Sequence, residues 1–284
     1  MVLPAEIATA AETADLDAVR AWLDGKPDGG RACINEYDEY GCTLLIACSL
    51  SDNHPDRRVA LARLLLERGA DVNRCASDVH NDHMGQMSPL HDAARHALHN
   101  PAMLDLLLAA GGNSKARTSG GGGGYIETPL ARLLRDARSL DSVYGPIRNF
   151  PSKVAALLRA GSELDEICVQ AVSGASYMSA ENLLQQARGF ILSIPGANPN
   201  IIAEANEKCV EVWRMITGVR AAGSWKAYIR RPHKDVCALR GLVTKGFLAP
   251  PGGGSKYERA IAFVVKQGDN GIVWKVLSYW RADN

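Results

Sequence analysis

The chain has 284 residues, 46% of them hydrophobic, so it can bury a sizeable core, and its formal net charge of +1 favours no particular partner. The amino-terminal end carries Glu6 and Glu12 instead of a basic, apolar leader, and no apolar stretch is long enough to span a bilayer, so we expect neither a signal peptide nor a membrane anchor. The seven cysteines are widely spaced and include no Cys-x-x-Cys pair, which predicts reduced thiols in a cytoplasmic or nuclear protein.

The first predicted element is a short helix pair over residues 5–25. Its second helix has an apolar stripe formed by Leu16, Val19, Trp22 and Leu23, at the spacing that places side chains on one helix face. A pair of this size cannot bury its own apolar face, so we expect it to pack on the pair that follows.

Two sequence phrases then alternate in a fixed order. The first is Ser88–Ala93 (Ser-Pro-Leu-His-Asp-Ala), with looser copies at 41–45 and 128–131. A hydroxyl at the N-cap accepts a hydrogen bond from a free amide of the first turn, and proline suits the first helical position. The phrase therefore predicts that helices begin after three hydroxyl residues: Thr43, Ser88 and Thr128.

The second phrase is Leu64–Asn73 (Leu-Leu-Leu-Glu-Arg-Gly-Ala-Asp-Val-Asn), and shorter copies occupy 106–112 and 156–161. Its leucines form the buried stripe of a second helix. Each copy contains a glycine where a left-handed cap suits the helix end: Gly69, Gly111 and Gly161. Each unit is thus a helix, a turn, a second helix and a loop, and such repetition is the signature of a solenoid.

The two phrases resemble those of the ankyrin repeat, whose signature is Thr-Pro-Leu-His-x-Ala. Ser88–Ala93 matches it at every position except serine for threonine, while Leu44 and Ala131 replace the proline and the histidine in the other copies. The resemblance covers about residues 1–195. It implies an all-α fold, an ankyrin-type α-solenoid of about five helix pairs with long finger loops, and a scaffold that binds proteins.

Long loops separate the units, because the glycines are 42 and 50 residues apart, against about 33 in an ordinary ankyrin repeat. The extra residues fall in Arg74–Met87 and Asn113–Glu127, which the resemblance places in the hairpin-like fingers on one edge of the array. Loops on one face of a repeat array are often its binding face, although polar, glycine-rich loops can also be flexible without a partner. We expect a protein partner to contact the fingers and first helices at Tyr40, Asp78, His80, Asp82, His83, Met84, Arg117 and Tyr125.

Catalytic chemistry has little support in the sequence. His80 and His83, with the carboxylates Asp78 and Asp82 beside them, are the residues most suggestive of a metal ion. They have no accompanying cysteine pair and no identifiable supporting shell, so we expect no metal site. The run Gly120–Gly124 lacks the lysine and the preceding strand of a phosphate-binding loop, and no motif marks a nucleophile. We therefore expect neither an enzyme nor a cofactor.

Residues 165–193 predict a degenerate last pair, with Ile167–Val172 on its first helix and Leu183–Leu192 on its second. Prolines and glycine between 195 and 199 then mark a break. The sequence thus predicts two domains, an ankyrin-repeat solenoid at 1–195 and a small Trp-rich helical domain at 200–284.

The C-terminal region allows a second interpretation. It has a faint likeness to the suppressor-of-cytokine-signalling box, which follows ankyrin arrays in some ubiquitin-ligase substrate receptors. Leu239 stands at the position of the box's leucine, but Val243 replaces its cysteine, and residues 248–251 match its Leu-Pro-φ-Pro poorly. On this alternative the chain is an adaptor that links a target protein to a ubiquitin ligase or a similar complex.

Basic residues cluster in the same region, where residues 212–250 hold eight lysines and arginines against a single acid. With Trp225 and Tyr228 interleaved, the cluster could stack on single-stranded nucleic acid, but the solvated side of an amphipathic helix is its commoner origin. The sequence therefore predicts a non-catalytic protein-binding scaffold, with neither nucleic acid nor membrane as its partner and an open oligomeric state. The candidate basic patch is Arg220, Lys226, Arg230, Arg231 and Lys234.

Overall fold

The computed structural model describes residues 2–50, 53–77, 86–97, 100–118, 125–137, 149–165, 167–170 and 176–245. The chain forms two compact units, residues 1–217 and residues 218–284. Helices dominate the described residues of both units, and none of these helices is long and apolar enough to cross a membrane.

The first unit is an ankyrin-type α-solenoid, as the sequence predicted. Its helices are α1 (Ala5–Glu12), α2 (Leu16–Asp24), α3 (Leu44–Ser49), α4 (Pro55–Glu67), α5 (Pro89–Arg95), α6 (Pro101–Ala109), α7 (Pro129–Asp136), α8 (Phe150–Arg159), α9 (Ala180–Leu192) and α10 (Pro199–Ala222). The first helices of the units contact one another in the order α1, α3, α5, α7 and α9, and the second helices in the order α2, α4, α6 and α8. Two stacked rows bury the apolar faces that single pairs would expose.

The first helices begin where the hydroxyl residues predict. The side chain of Thr43 accepts a hydrogen bond from the amide of Ile46, and that of Thr128 accepts one from the amide of Ala131, each at 3.3 Å. Ser88 forms a capping box with His91. The N-caps of α3, α5 and α7 are therefore confirmed, and they fix the point at which each loop enters its helix.

The second helices end at the predicted glycines. Gly69, Gly111 and Gly161 have φ angles of 98°, 91° and 90°, in the left-handed region that glycine enters without the steric cost of a Cβ atom. The central leucine of the first two copies of the phrase, Leu65 and Leu107, is fully buried, while the leucines on either side of it are half-buried.

Asparagine side chains fix the spacing between neighbouring units. The amide nitrogen of Asn35 donates to the carbonyl of Gly69 at 3.3 Å, and its oxygen accepts from the amide of Asp71 at 2.8 Å. One unit later, Asn73 makes the same two bonds with Gly111 and Asn113, at 3.2 and 2.8 Å. Each of these asparagines thus satisfies the backbone of the loop above it and holds the units in register.

The last unit differs from the prediction. Residues 168–170 and 176–178 are strands β2 and β3, where the sequence predicted a helix over Ile167–Val172. Helix α9, predicted as a second helix, is instead a first helix, because it contacts α7. Its N-cap Ser179 accepts a hydrogen bond from the amide of Asn182 at 3.3 Å. The prediction was wrong because β-branched residues fit a strand as well as a buried helix, and here a neighbouring strand is available for pairing.

The predicted break follows α9. That helix ends at Leu192 and α10 begins at Pro199. The two compact units meet within α10, between Thr217 and Gly218. The described part of the second unit consists of the end of α10 and of helix α11 (Trp225–Thr244).

Candidate partner-binding surface

Backbone hydrogen bonds hold the bases of the fingers. The amide of Ser77 donates to the carbonyl of Gly41, and the amide of Ala76 donates to the carbonyl of Met87, both at 2.8 Å. The first bond joins the turn Asp38–Cys42 to the next finger, and the second closes that finger at its base. The fingers therefore begin from fixed positions on the solenoid.

The last two fingers share a small sheet. Strands β1 (Tyr125–Glu127), β2 (Cys168–Gln170) and β3 (Ser176–Met178) pair antiparallel in that order. Ile126 lies opposite Val169, and Val169 lies opposite Tyr177. The sheet extends the finger contacts to the last unit, so the same edge of the solenoid is ordered by backbone bonds near both ends.

His91 ties a first helix to the following finger. Its Nε2 donates to the carbonyls of Ala116 and Glu127 at 3.2 and 3.1 Å, while its Nδ1 accepts from the amide of Ser88 at 3.2 Å. Since both carbonyls can only accept, the ring proton lies on Nε2. Burial lowers the pKa of His91 to about 4, so the ring is neutral at physiological pH. The histidine is structural and is not a free metal ligand.

Asp92, the next residue on α5, is fully buried, and neither of its carboxylate oxygens has a hydrogen-bond partner. Burial raises its pKa to about 6, although the charges of Arg132 and Arg95 act in the opposite direction. A buried carboxylate without partners is costly in its ionised form. The sequence does not predict this feature, because nothing in the phrase distinguishes a buried from an exposed residue after the histidine.

A buried glutamate at the end of β1 orders two arginines of α7. The side chain of Glu127 is 2% exposed; its Oε1 accepts from Arg132 at 2.5 Å, and its Oε2 lies 3.0 Å from Arg135. The second contact is an ion pair whose angles fall outside those of a hydrogen bond. The finger is thus linked to its first helix by charge as well as by backbone bonds.

Three of the predicted partner-binding residues lie in the described part of the chain. Tyr40 is 59% exposed in the turn Asp38–Cys42, where its amide donates to Asp38. Arg117 is exposed and lies 3.6 Å from Glu163, which follows the second helix of the next unit. Tyr125 begins β1, with Gln170 opposite. The other predicted residues lie outside the described residues: Asp78, His80, Asp82, His83 and Met84.

The described residues contain no group of three or more histidine, cysteine or acidic side chains that could hold a metal ion. Burial raises the pKa of Cys42 and Cys48 to about 12 and that of Cys209 to about 11, so these thiols stay protonated and unreactive. They are structural members of the core.

A groove of about 310 Å³ lies between α9 and α10 within the first unit. Trp213 on its rim is 40% exposed. The groove was not predicted from the sequence, because α9 and α10 were assigned to different domains. Its lining residues are Leu184, Gln185, Arg188, Cys209, Val210 and Trp213.

The residues that suggested an adaptor cannot be compared with the structure. The side chains of Leu239 and Val243, and all of residues 248–251, lie outside the described residues. The candidate basic patch is described, and all five of its side chains are exposed: Arg220, Lys226, Arg230, Arg231 and Lys234.

Comparisons with known proteins found a matching family model and matching solved structures. Residues 40–77 match the family model of the ankyrin repeat. Among the 14 matching chains of solved structures is the Legionella pneumophila effector AnkC, to which the chain is 16% identical. That match covers 73% of this chain and 68% of AnkC, with a TM-score of 0.42. No curated protein matches the sequence.

The segment matched by the family model spans α3 and α4 with finger residues on either side. The chain therefore contains an ankyrin repeat recognisable from its sequence, within a solenoid whose other units follow the same plan. This class of repeat implies a protein–protein interaction scaffold.

Proposed function

We propose that residues 1–217 form a non-catalytic scaffold that binds a protein partner through its fingers and first helices. The observation that carries this proposal is Tyr40, an exposed aromatic side chain on a turn held by Asp38 and by the Gly41–Ser77 bond. Exposed aromatic residues on a fixed backbone are typical centres of binding energy in protein interfaces, because little conformational entropy is lost when they are covered.

The neighbouring finger belongs to the same surface. Its described ends are joined by the Ala76–Met87 bond, and both side chains are buried at 3% exposure. Residues 78–85, which carry the predicted contacts Asp78, His80, Asp82, His83 and Met84, lie between these two ends. The proposal includes this segment in the binding surface because it continues the finger whose base is joined to the turn of Tyr40 by the Gly41–Ser77 bond.

The experiment replaces residues 78–85 by a short Gly/Ser turn and keeps Ala76, Ser77 and Met87. Affinity capture from lysate, analysed by mass spectrometry, compares this variant with the unaltered chain. We expect loss of a discrete set of captured proteins. The melting temperature should change little, because the bonds at the base of the finger are retained.

The matched control changes exposed residues of a second helix, Arg57→Ser and Arg63→Ser on α4, away from the fingers. We expect this control to capture the same proteins as the unaltered chain. If the finger variant captures them equally well, the finger is not part of the binding surface, and the proposal fails at that point.

The adaptor alternative makes a different prediction. An adaptor would lose a second, separate set of captured proteins when residues 218–284 are removed. The scaffold proposal expects the set captured through the fingers to survive that deletion.

A further inference from the structure

The second unit carries a strong positive charge that the net charge of the whole chain conceals. Residues 218–284 hold twelve lysines and arginines against four acids, a formal net charge of +8. Residues 1–217 hold twenty lysines and arginines against twenty-seven acids, a formal net charge of −7. Such a division between two units favours a polyanionic partner for the basic one.

Helix α11 arranges part of this charge in a row. Lys226, Arg230 and Lys234 are four residues apart, so they lie along one face of the helix over a length of about 12 Å. All three side chains are exposed, as are those of Arg231 and Lys245. We call Lys226, Arg230 and Lys234 the basic row.

The basic row is unusual for a solvated helix face, because such faces normally interleave both signs of charge. Like charges four residues apart destabilise a helix. Asp235 is the only acid in residues 212–250, and the described residues contain no ion pair to the basic row. A partner that supplies negative charge would relieve this repulsion.

The aromatic residues of α11 are engaged within the second unit. The rings of Trp225 and Tyr228 lie 5.7 Å apart, and Tyr228 covers Gly218, where a Cβ atom would come within 2.3 Å of the ring. Both aromatics are half-buried. They are therefore not free to stack on the bases of a single strand or to insert into a bilayer.

A protein partner also fits the basic row poorly. Protein interfaces normally have an apolar centre from which charges are depleted. Leu242, an exposed apolar residue of α11, lies eight residues beyond Lys234, about 12 Å along the helix axis. Among the described side chains of α11, no large exposed apolar residue therefore lies within one turn of the basic row.

We propose that the basic row of α11 binds the phosphate backbone of double-stranded nucleic acid without reading its sequence. Phosphate contacts need exposed lysine and arginine side chains and no apolar centre, and they position a protein without specifying bases. The proposal departs from the expectation drawn from the sequence. That expectation considered stacking on single strands, a mode for which the engaged aromatics are unsuitable.

The test measures binding of the full chain to fluorescent duplexes by anisotropy over about 50 to 200 mM salt. Two DNA duplexes of unrelated sequence, a duplex RNA and one single strand of equal length are compared. We expect the duplexes to bind alike and the single strand to bind more weakly. The triple variant Lys226→Gln, Arg230→Gln, Lys234→Gln should bind at least tenfold more weakly at about 0.1 M salt and should reduce the slope of log K against log salt by about 3.

The control triple variant removes three exposed positive charges from the first unit: Arg31→Gln, Arg57→Gln and Arg63→Gln. It has the same net charge as the α11 variant, and glutamine preserves helix propensity at the helical positions of both variants, so that circular dichroism should show equal helix content. We expect the control to bind duplexes like the unaltered chain.

Four results would overturn the proposal. The first would be that the unaltered chain does not bind duplexes at about 50 mM salt. The second would be that the control variant loses as much affinity for duplexes as the α11 variant does. The third would be that polyglutamate of equal charge displaces the labelled duplex as efficiently as unlabelled duplex does, which would indicate an acidic protein as the partner. The fourth would be that sedimentation detects salt-sensitive self-association of the unaltered chain that is absent from the α11 variant. The basic row would then bind the acidic unit of a second copy.

Discussion

Two adjacent buried residues of α5, His91 and Asp92, differ in their hydrogen bonding and in the direction of their pKa shifts. His91 is neutral and has hydrogen-bond partners on both ring nitrogens, whereas Asp92 has none on either oxygen. Burial lowers the pKa of His91 to about 4 and raises that of Asp92 to about 6. Each residue therefore makes stability depend on pH, with opposite sign.

The sign follows from proton binding in the folded and unfolded states. Between pH 4 and 6 the folded chain keeps a proton on Asp92 that the unfolded chain has lost, so this residue lowers stability as pH rises. Over a similar range the unfolded chain binds a proton on His91 that the folded chain does not, so this residue raises stability as pH rises. The two effects oppose each other in the unaltered protein.

Asp92→Asn should separate the two effects. Asparagine has the same shape and no charge. The variant therefore keeps the increase in stability with pH that is due to His91 and loses the decrease that is due to Asp92. We expect its free energy of unfolding, relative to the unaltered chain, to increase by roughly 2–3 kcal/mol between pH 4 and pH 7. Urea unfolding followed by circular dichroism at several pH values measures this difference. A difference that does not change with pH would mean that Asp92 is ionised in contact with a partner.

At the scale of the element, Glu127 connects the finger Asn113–Glu127 to α7. We expect Glu127→Gln to lower the free energy of unfolding by about 2–4 kcal/mol, because two half-buried arginines lose their counter-charge. The matched control is Glu163→Gln, which removes an exposed ion pair with Arg117 at 3.6 Å and should cost less than about 1 kcal/mol. Equal losses in the two variants would show that burial does not strengthen the Glu127 contacts.

Sequence patterns predicted the elements that depend on local chemistry. The caps at Thr43 and Thr128 and the left-handed Gly69 and Gly111 follow from residue types that few other structures require. The β2–β3 segment could not be predicted in the same way, because its state depends on pairing with β1, about forty residues earlier in the chain. Hydrophobic periodicity indicates that a side chain is buried, but it does not indicate which element of the fold covers that side chain.

Buried charges escaped prediction for a related reason. Arg58 of α4 is 3% exposed and donates to the carbonyls of Cys48 at 2.9 Å, of Asn53 at 2.7 Å and of Glu12. It thus satisfies carbonyl groups near the ends of α1 and α3. Its sequence neighbours give no sign of this role, since the acceptors come from three different segments.

At the scale of the whole molecule, an acidic solenoid and a basic second unit share one chain. The solenoid has the features of a recognition surface, with fingers fixed at their bases and an exposed Tyr40. The candidate residues of that surface stay a prediction, made because loops inserted on one edge of a repeat array are visible in the sequence. The groove between α9 and α10 was not predicted, because it depends on the packing of two helices that the sequence prediction assigned to different domains.

The central claim is that the fingers and first helices are the binding surface, and site-specific photo-crosslinking tests it most directly. A photoreactive phenylalanine analogue would replace Tyr40 in one variant and Arg63, which is exposed on α4, in another. We predict that the Tyr40 variant forms a discrete crosslinked species with a protein in cell lysate, and that the Arg63 variant does not. A discrete crosslinked species from the Arg63 variant, with none from the Tyr40 variant, would place recognition on the second helices and contradict the proposal.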